Sequence, residues 1–375
     1  MTETADILVI GAGVAGASAA WALSESARVI LLEQESQPGY HTSGRSAALF
    51  TETYGNLTNR RLTSAGRSFF TDPPEGFGDH PLLSRRGILF VAREEQLQAL
   101  ETALAQTPTA AEPVRRLDAA EALELSPAFR PGYVAAGLYE PAAEDIDVHA
   151  RLSGYLRVFR GLGGWLVTGA EVTGLRRAGG VWQAETRAER FAAPVVVNAA
   201  GAWCDRVAEL AGLPAVGLVP KRRTVFTFDP PAGIDPDPWP ATIDIDEQFY
   251  FKPDAGRLFG SPADETPSPP CDAQPEELDI AIGIDRIESA TRLSVPRLVN
   301  KWAGLRSFVA DKSPVVWFDA ATEGLFWLAG QGGYGIQTSP ALGRATAALI
   351  ASGELPDDLA ARGLDKADLA PERLR

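Results

Sequence analysis

The sequence predicts an α/β fold, α+β when the whole chain is counted: a parallel-sheet domain with an antiparallel sheet inserted into it. Three observations predict this. The chain opens on an apolar run, Asp6-Ile7-Leu8-Val9-Ile10, that leads straight into Gly11-Ala12-Gly13-Val14-Ala15-Gly16. A second glycine loop, Gly332-Gly333-Tyr334-Gly335-Ile336-Gln337, opens a helix near the other end. Between them, at Leu213, strand–helix units give way to segments that alternate with the two-residue period of a strand, Thr224 to Phe228 and Gln248 to Lys252. The expected division is one discontinuous domain from 1–82, 142–218 and 301–375, and a second domain from 83–141 and 219–300.

The opening unit reads as strand, glycine loop, helix (residues 14–25) and second strand, Arg28 to Leu32, stopping at Glu33. This is a dinucleotide fingerprint in its full context, and the first domain is therefore Rossmann-like. Gly11 allows the tight turn, Gly13 lets backbone N–H groups approach a pyrophosphate, and Gly16 brings the helix onto the strand. Glu33 follows Gly13 by twenty positions, where a carboxylate can accept both ribose hydroxyls.

Residues 39–46 are rich in glycine and hydroxyls and read as a loop. Ile88 to Val91 is a short strand, and 94–106 and 118–125 are amphipathic helices. Glu171 to Leu175 and Val181 to Ala184 form a hairpin about Gly179-Gly180. Phe191 to Val197 reads as one strand, feeding a small-residue turn and a helix over 203–211. Residues 229–240 hold five prolines in twelve positions and form a loop. The Pro-rich, acidic 261–275 is expected to be a surface loop of the second domain. A helix over 279–293, a strand over 325–330 and a helix ending near Ser352 complete the chain.

With 375 residues, the chain is long enough for two domains. A net charge of −14 repels a polyanion, so nucleic acid is not an expected partner. Cys204 and Cys271 form no disulfide framework, and the polar start has no signal-peptide pattern; both suggest the cytoplasm. No uncharged apolar run is long enough to span a bilayer. Three histidines, His41, His80 and His149, lack metal-ligand spacing, so no metal site is expected.

The separated motifs together resemble the D-amino acid oxidase family of FAD enzymes, and within it most nearly the D-arginine dehydrogenases. The resemblance rests on Pro38-Gly39-Tyr40-His41 with Gly44-Arg45-Ser46-Ala47-Ala48, on Val197 to Asp205, on Pro220-Lys221-Arg222-Arg223, and on Phe249-Tyr250 before Lys252-Pro253-Asp254. Trp302 to Phe308 and Gln331 to Thr338 complete it. It implies a glutathione-reductase-type domain holding FAD, noncovalently rather than through His41. Ala15, Glu33 and Gln34 would meet the ADP half, with Val172 holding adenine through its backbone. Thr42, Ser43, Gly44, Arg45, Ser46, Ala47 and Ala48 would line the flavin, and Gly332, Gly333, Tyr334, Gly335, Ile336 and Gln337 would meet its pyrimidine edge. Ala200, Gly201 and Trp203 join the same set. A helix N-terminus suits that edge, because reduced flavin gathers negative charge there.

The resemblance also implies the reaction: oxidative deamination of a D-amino acid, with hydride passing from Cα to the flavin. Arg223 and Arg306 would hold the carboxylate, Tyr250 would add a donor, and Tyr54 would cover the substrate. Strand alternation separates Arg223 from Arg222, so one can face inward while the other faces solvent. Leu49, Thr51, Ile88 and Gly333 would line the pocket. Ile88 stands where arginine-specific relatives carry a glutamate, and Leu49 where they carry a histidine, so an apolar or small D-amino acid is expected in preference to D-arginine. Glu52 or Glu247 could supply a substitute carboxylate. Three rival readings remain: a glycine- or sarcosine-type amine oxidase, a 2-hydroxy acid dehydrogenase, and a non-catalytic flavin subunit. The electron acceptor is expected to be oxygen or a quinone, and the protein a monomer or weak oligomer.

Overall fold

Leu8 and Val9 have no solvent exposure, and the strand that carries them, Ile7–Ile10, lies in the middle of a six-stranded sheet. The computed structural model describes residues 2–78, 80–107 and 112–374. Across this sheet the order is Trp165–Val167, Val29–Leu32, Ile7–Ile10, Val195–Asn198, Leu325–Ala329 and Val315–Phe318, parallel throughout except for the last pair. The near-continuous apolar runs follow from burial on both faces.

One face is covered by helices Val14–Leu23, Val148–Gly161 and Gly335–Ser352, whose small residues allow close approach. A Cβ on Gly343 would meet the Ser18 carbonyl at 2.6 Å, so the first and last of these helices touch backbone to backbone. The other face carries helix Cys204–Leu210 and a four-stranded sheet ordered Thr2–Thr4, Arg190–Ala193, Val181–Glu185 and Gly174–Ala178. The predicted hairpin is present, with Gly179 and Gly180 both at positive φ, but its first strand begins at Gly174 rather than Glu171. Residues 170–173 instead line a cavity, with the Ala170 N–H on the Glu33 carbonyl. The expected single strand over 191–197 is two strands in different sheets. Pro194 has no N–H for a ladder, and the chain changes sheet there.

The third assembly is a nine-stranded sheet running Thr266–Pro267, Val219–Phe228, Arg257–Ser261, Tyr250–Asp254, Ala241–Asp244, Ile88–Ala92, Ala136–Glu140 and Arg115–Asp118, with Asn300–Phe308 paired to Val219–Phe228. It is antiparallel except where Ala241–Asp244 meets Ile88–Ala92. That parallel pair joins two segments far apart in the chain.

Asn300–Phe308, which the sequence did not disclose as a strand, is the seam. It pairs with Val219–Phe228 along nine positions. Its other edge reaches the glycine loops: Thr42 Oγ1 donates to Leu305 O at 2.7 Å, Trp302 Nε1 to Arg45 O at 3.1 Å, and Gly332 N to Ser307 O at 2.9 Å. The acidic 261–275 segment is also tied down, because Arg45 bonds the Ala273 carbonyl at 2.8 Å and pairs with Asp272.

Candidate active site

A cavity of about 580 Å³ runs from the first glycine loop to the seam strand. One end is lined by Gly11, Gly13, Ala15, Glu33, Gln34, Val172, Ala200, Gly201 and Trp203. Thr42, Ser43, Arg45, Ser46 and Ala47 line the middle, and Arg223, Tyr250, Arg306, Gly332, Gly333, Gly335 and Ile336 the rest.

Backbone geometry explains the glycines at the first end. Gly11 has φ +100°, and a Cβ on Gly16 would stand 1.8 Å from the Gly11 carbonyl. Gly16 therefore lies behind the cavity and sets the closeness of helix to strand. Glu33 is buried and accepts from Ala12 N–H at 2.7 Å and Glu35 N–H at 3.0 Å, so it braces the glycine loop. Burial pushes its carboxyl above the ordinary range, though both N–H bonds pull it back. The two bonds leave lone pairs for ribose hydroxyls. Ser43 Oγ accepts from Val14 N–H at 2.9 Å, locking the first glycine loop to the 39–46 loop. Gly44 packs on its own loop, where a Cβ would meet the Gly39 carbonyl at 2.6 Å, and Ala48 packs on the adjoining core. His41 bonds Glu35 at 2.9 Å and lies against Trp203, with ring centroids 4.6 Å apart.

At the far end, Arg306 and Arg223 lie on neighbouring strands. Arg306 stands opposite Lys221 and Arg223 opposite Gly304, a diagonal relation that puts both side chains on one face. Arg222 points the other way, to Glu276 and to Asp279 at 2.9 Å, as alternation requires. Arg223 has a weak partner, Glu265 Oε1 at 3.4 Å. The Arg306 guanidinium has no hydrogen-bond or ion-pair partner among the described residues. Burial alone would lower its pKa, but Tyr54, Tyr250, Glu247 and Tyr334 raise it, so the guanidinium stays charged. Gly333 makes room for it, since a Cβ there would lie 3.0 Å from Arg306 Nη1.

Tyr54 joins this group without lining the cavity. Its ring packs on Tyr334 at 5.0 Å between centroids. Burial pushes the Tyr54 phenol up, with Arg306 and Arg223 pulling it back. Tyr334 is pushed up by burial and by Tyr54. Gln337 and Thr51 meet each other, Thr51 N–H donating to Gln337 Oε1 at 3.1 Å. Leu49 and Ile88 pack together with Ala143 and Ala241, away from the cavity lining. Ile88 is 1% exposed and stands opposite Glu140 on the neighbouring strand.

The residues present fit a large polar cofactor. Buried atoms left without partners include His41 Nδ1, Arg223 Nε, Ser307 Oγ and Gln331 Nε2, all on residues lining this one cavity. Buried polar groups are seldom left unpaired, so such a cluster marks the place of a hydrogen-bonding ligand. The sequence reading missed Ser307 as a lining residue and Glu265 as a partner of Arg223. Neither carries a local signal, because their positions depend on long-range strand pairing. Among the described residues no cluster of His, Cys, Asp and Glu is arranged to hold a metal, and no helix is long and apolar enough to cross a membrane.

Comparison with known proteins agrees with this geometry. The family model described as DAO, FAD dependent oxidoreductase, matches residues 6–349. The hydrogen cyanide synthase subunit HcnC of Pseudomonas aeruginosa is 27% identical, over 96% of this chain and 95% of its own. The glycine oxidase of Geobacillus kaustophilus is 24% identical, over 96% of each. Among solved structures, L-proline dehydrogenase from P. horikoshii superposes with a TM-score of 0.85 at 20% identity, covering 100% of this chain and 98% of that one. The fold, the cavity and the family match lead to one conclusion: the chain belongs to the DAO family of FAD-dependent oxidoreductases, and its cofactor is FAD.

Proposed function

We propose that this enzyme oxidises the Cα–N bond of D-amino acids with small or apolar side chains, giving an imino acid that hydrolyses to a 2-oxo acid and ammonia. The coarser statement, an FAD-dependent oxidoreductase of amino acids or amines, comes with the family. The observation that supports an amino acid rather than a simple amine is Arg306, a guanidinium with no anionic partner of its own, beside the half-satisfied Arg223; the D-configuration rests on the resemblance. A guanidinium that lines a cavity without an anion of its own suits a substrate carboxylate.

FAD, when bound, supplies the hydride acceptor. Ala15, Glu33, Gln34 and Val172 would hold its ADP half, and Thr42, Ser43, Arg45, Ser46 and Ala47 with Gly332, Gly333, Gly335 and Ile336 its flavin half. Arg306 and Arg223 grip the substrate carboxylate, which fixes where Cα–H points. The Tyr250 hydroxyl donates to the same group, and Tyr54 covers it. No side chain is needed as a base, because the ammonium loses its proton to water before hydride leaves. The cofactor part comprises 1–82, 142–218 and 301–375 and the substrate part 83–141 and 219–300, with the seam strand Asn300–Phe308 serving both. The preference for a small or apolar side chain rests on the resemblance alone: Ile88 and Leu49 stand where arginine-specific relatives carry a glutamate and a histidine, although both pack on Ala143 and Ala241 rather than on the cavity. Oxygen or a quinone then takes the electrons.

A second reading, oxidation of glycine or of a secondary amine, is favoured by the likeness to glycine oxidase and L-proline dehydrogenase. Anaerobic mixing with a panel of D- and L-amino acids, glycine, sarcosine and proline separates the two. Flavin bleaching by apolar D-amino acids supports the first reading. Bleaching by glycine or sarcosine alone supports the second.

A further inference from the structure

Glu140, the last residue of strand Ala136–Glu140, is 4% exposed, and no lysine or arginine forms an ion pair with it among the described residues. One short segment wraps its carboxylate instead. Oε2 accepts from Thr51 Oγ1 at 2.7 Å and from the Thr53 hydroxyl, while Oε1 accepts from the Glu52 N–H at 3.0 Å. Three consecutive residues thus donate to one buried carboxylate. A charge taken out of water without a cation is costly unless hydrogen bonds replace the lost solvation, so these donors and the carboxylate hold each other in place. The Glu52 side chain does not compete, because it is drawn off to Arg67 at 2.7 Å.

The next residue is Tyr54, packed on Tyr334 and facing Arg306. Gly55 follows at φ +91°, where a Cβ would stand 2.8 Å from the Tyr334 ring. The chain therefore turns sharply just after Tyr54. On its other side, Thr51 N–H is fixed to Gln337 Oε1 at 3.1 Å, at the start of helix Gly335–Ser352. Residues 51–54 hang between the large sheet, through Glu140, and the cofactor helix, through Gln337.

We propose that Glu140 is a positioning residue: its carboxylate holds residues 51–53 so that the Tyr54 hydroxyl stays over the carboxylate end of the substrate chamber. This rests on the reading of Tyr54 as the residue that covers substrate. Glu140 touches neither substrate nor cofactor and acts only through the segment it anchors. Glu140→Gln keeps the shape of the side chain but removes the charge, so the charge-assisted bonds become weaker neutral ones, and the Thr51 and Thr53 hydroxyls must turn to accept from the new amide nitrogen.

The test is anaerobic flavin-reduction kinetics on the FAD-loaded enzyme in four forms: wild type, Glu140→Gln, Tyr54→Ala and the double variant. Glu140→Gln is expected to weaken substrate binding about tenfold, the factor for losing about 1.4 kcal/mol. The limiting rate of flavin reduction should stay close to wild type. In the Tyr54→Ala background the same substitution should change nothing further. A full tenfold loss with Tyr54 absent, or no loss with Tyr54 present, overturns the inference and leaves the proposed function standing. Wild-type binding by Tyr54→Ala alone instead removes Tyr54 from the proposed site, and this inference with it. If Glu140→Gln does not fold around flavin, Thr53→Val, which removes one donor of three, carries the same four-way comparison.

Discussion

The first glycine loop reaches the cavity from one local stretch, residues 11–15, with Gly16 behind it setting the approach of helix to strand. The far end of the same cavity is reached by side chains, Arg223, Tyr250 and Arg306, brought together by strands distant in the chain, with Tyr54 beside them. In the first region the sequence dictates close approach by leaving out side chains. In the second it places charge by register. Damage to the cradle should therefore cost the cofactor, and damage to the chamber should cost turnover while the protein stays yellow.

The largest effect is expected at the cradle. In Gly16→Val the added Cβ would fall 1.8 Å from the Gly11 carbonyl, so the helix cannot seat and bound flavin should be lost. Visible absorbance of the purified protein measures this, and a yellow Gly16→Val would break the contrast between the regions. In the wild-type protein, acid should release the flavin into solution, as a noncovalent cofactor requires.

Next in size is Arg306→Ala. Removing the guanidinium should cost about 2–5 kcal/mol in kcat/KM, the range for losing one partner of a buried charge pair. Flavin content should not change. Arg223→Ala should cost less, about 1–3 kcal/mol, because Glu265 already shares that cation at 3.4 Å. Steady-state kinetics of the two variants would reverse the assignment if Arg223 proved the more costly loss.

The smallest effect sharpens the chamber's electrostatics. Burial raises Tyr54 and Tyr334 above the ordinary tyrosine value of 10.0, so both stay protonated, and able to donate, throughout the usual assay range. Activity should rise with pH as the substrate ammonium deprotonates, with no falling limb below about pH 10 from these phenols. A falling limb that vanishes in Tyr54→Phe would show that the Tyr54 hydroxyl ionises there.

Legibility in the sequence follows the same division. The loop Gly11 to Gly16, the acid Glu33 and the loop from Gly332 could be read directly, because each is a local pattern whose physics is local. The alternation in Lys221-Arg222-Arg223 showed that Arg222 and Arg223 point opposite ways, but only the resemblance chose Arg223, and Arg222 is held by Glu276 and Asp279 rather than left in solvent. The strand Asn300–Phe308 was not readable: its small residues and its single, cavity-lining arginine make sense only beside Val219–Phe228. Pro194 could have divided the strand over 191–197, since a proline within an apolar run is a local signal. Glu140 gave no signal at all, for its three donors lie far from it in sequence and close only in the fold.

The central claim is that Arg306 and Arg223 recognise a carboxylate, and one measurement tests it most directly. The FAD-loaded enzyme is mixed anaerobically with a D-amino acid, D-alanine or D-leucine, and separately with the matching amine that lacks the carboxylate. The account predicts rapid flavin bleaching by the amino acid, little or none by the amine, and loss of that discrimination in Arg306→Ala. Equal bleaching by acid and amine in the wild type would contradict it.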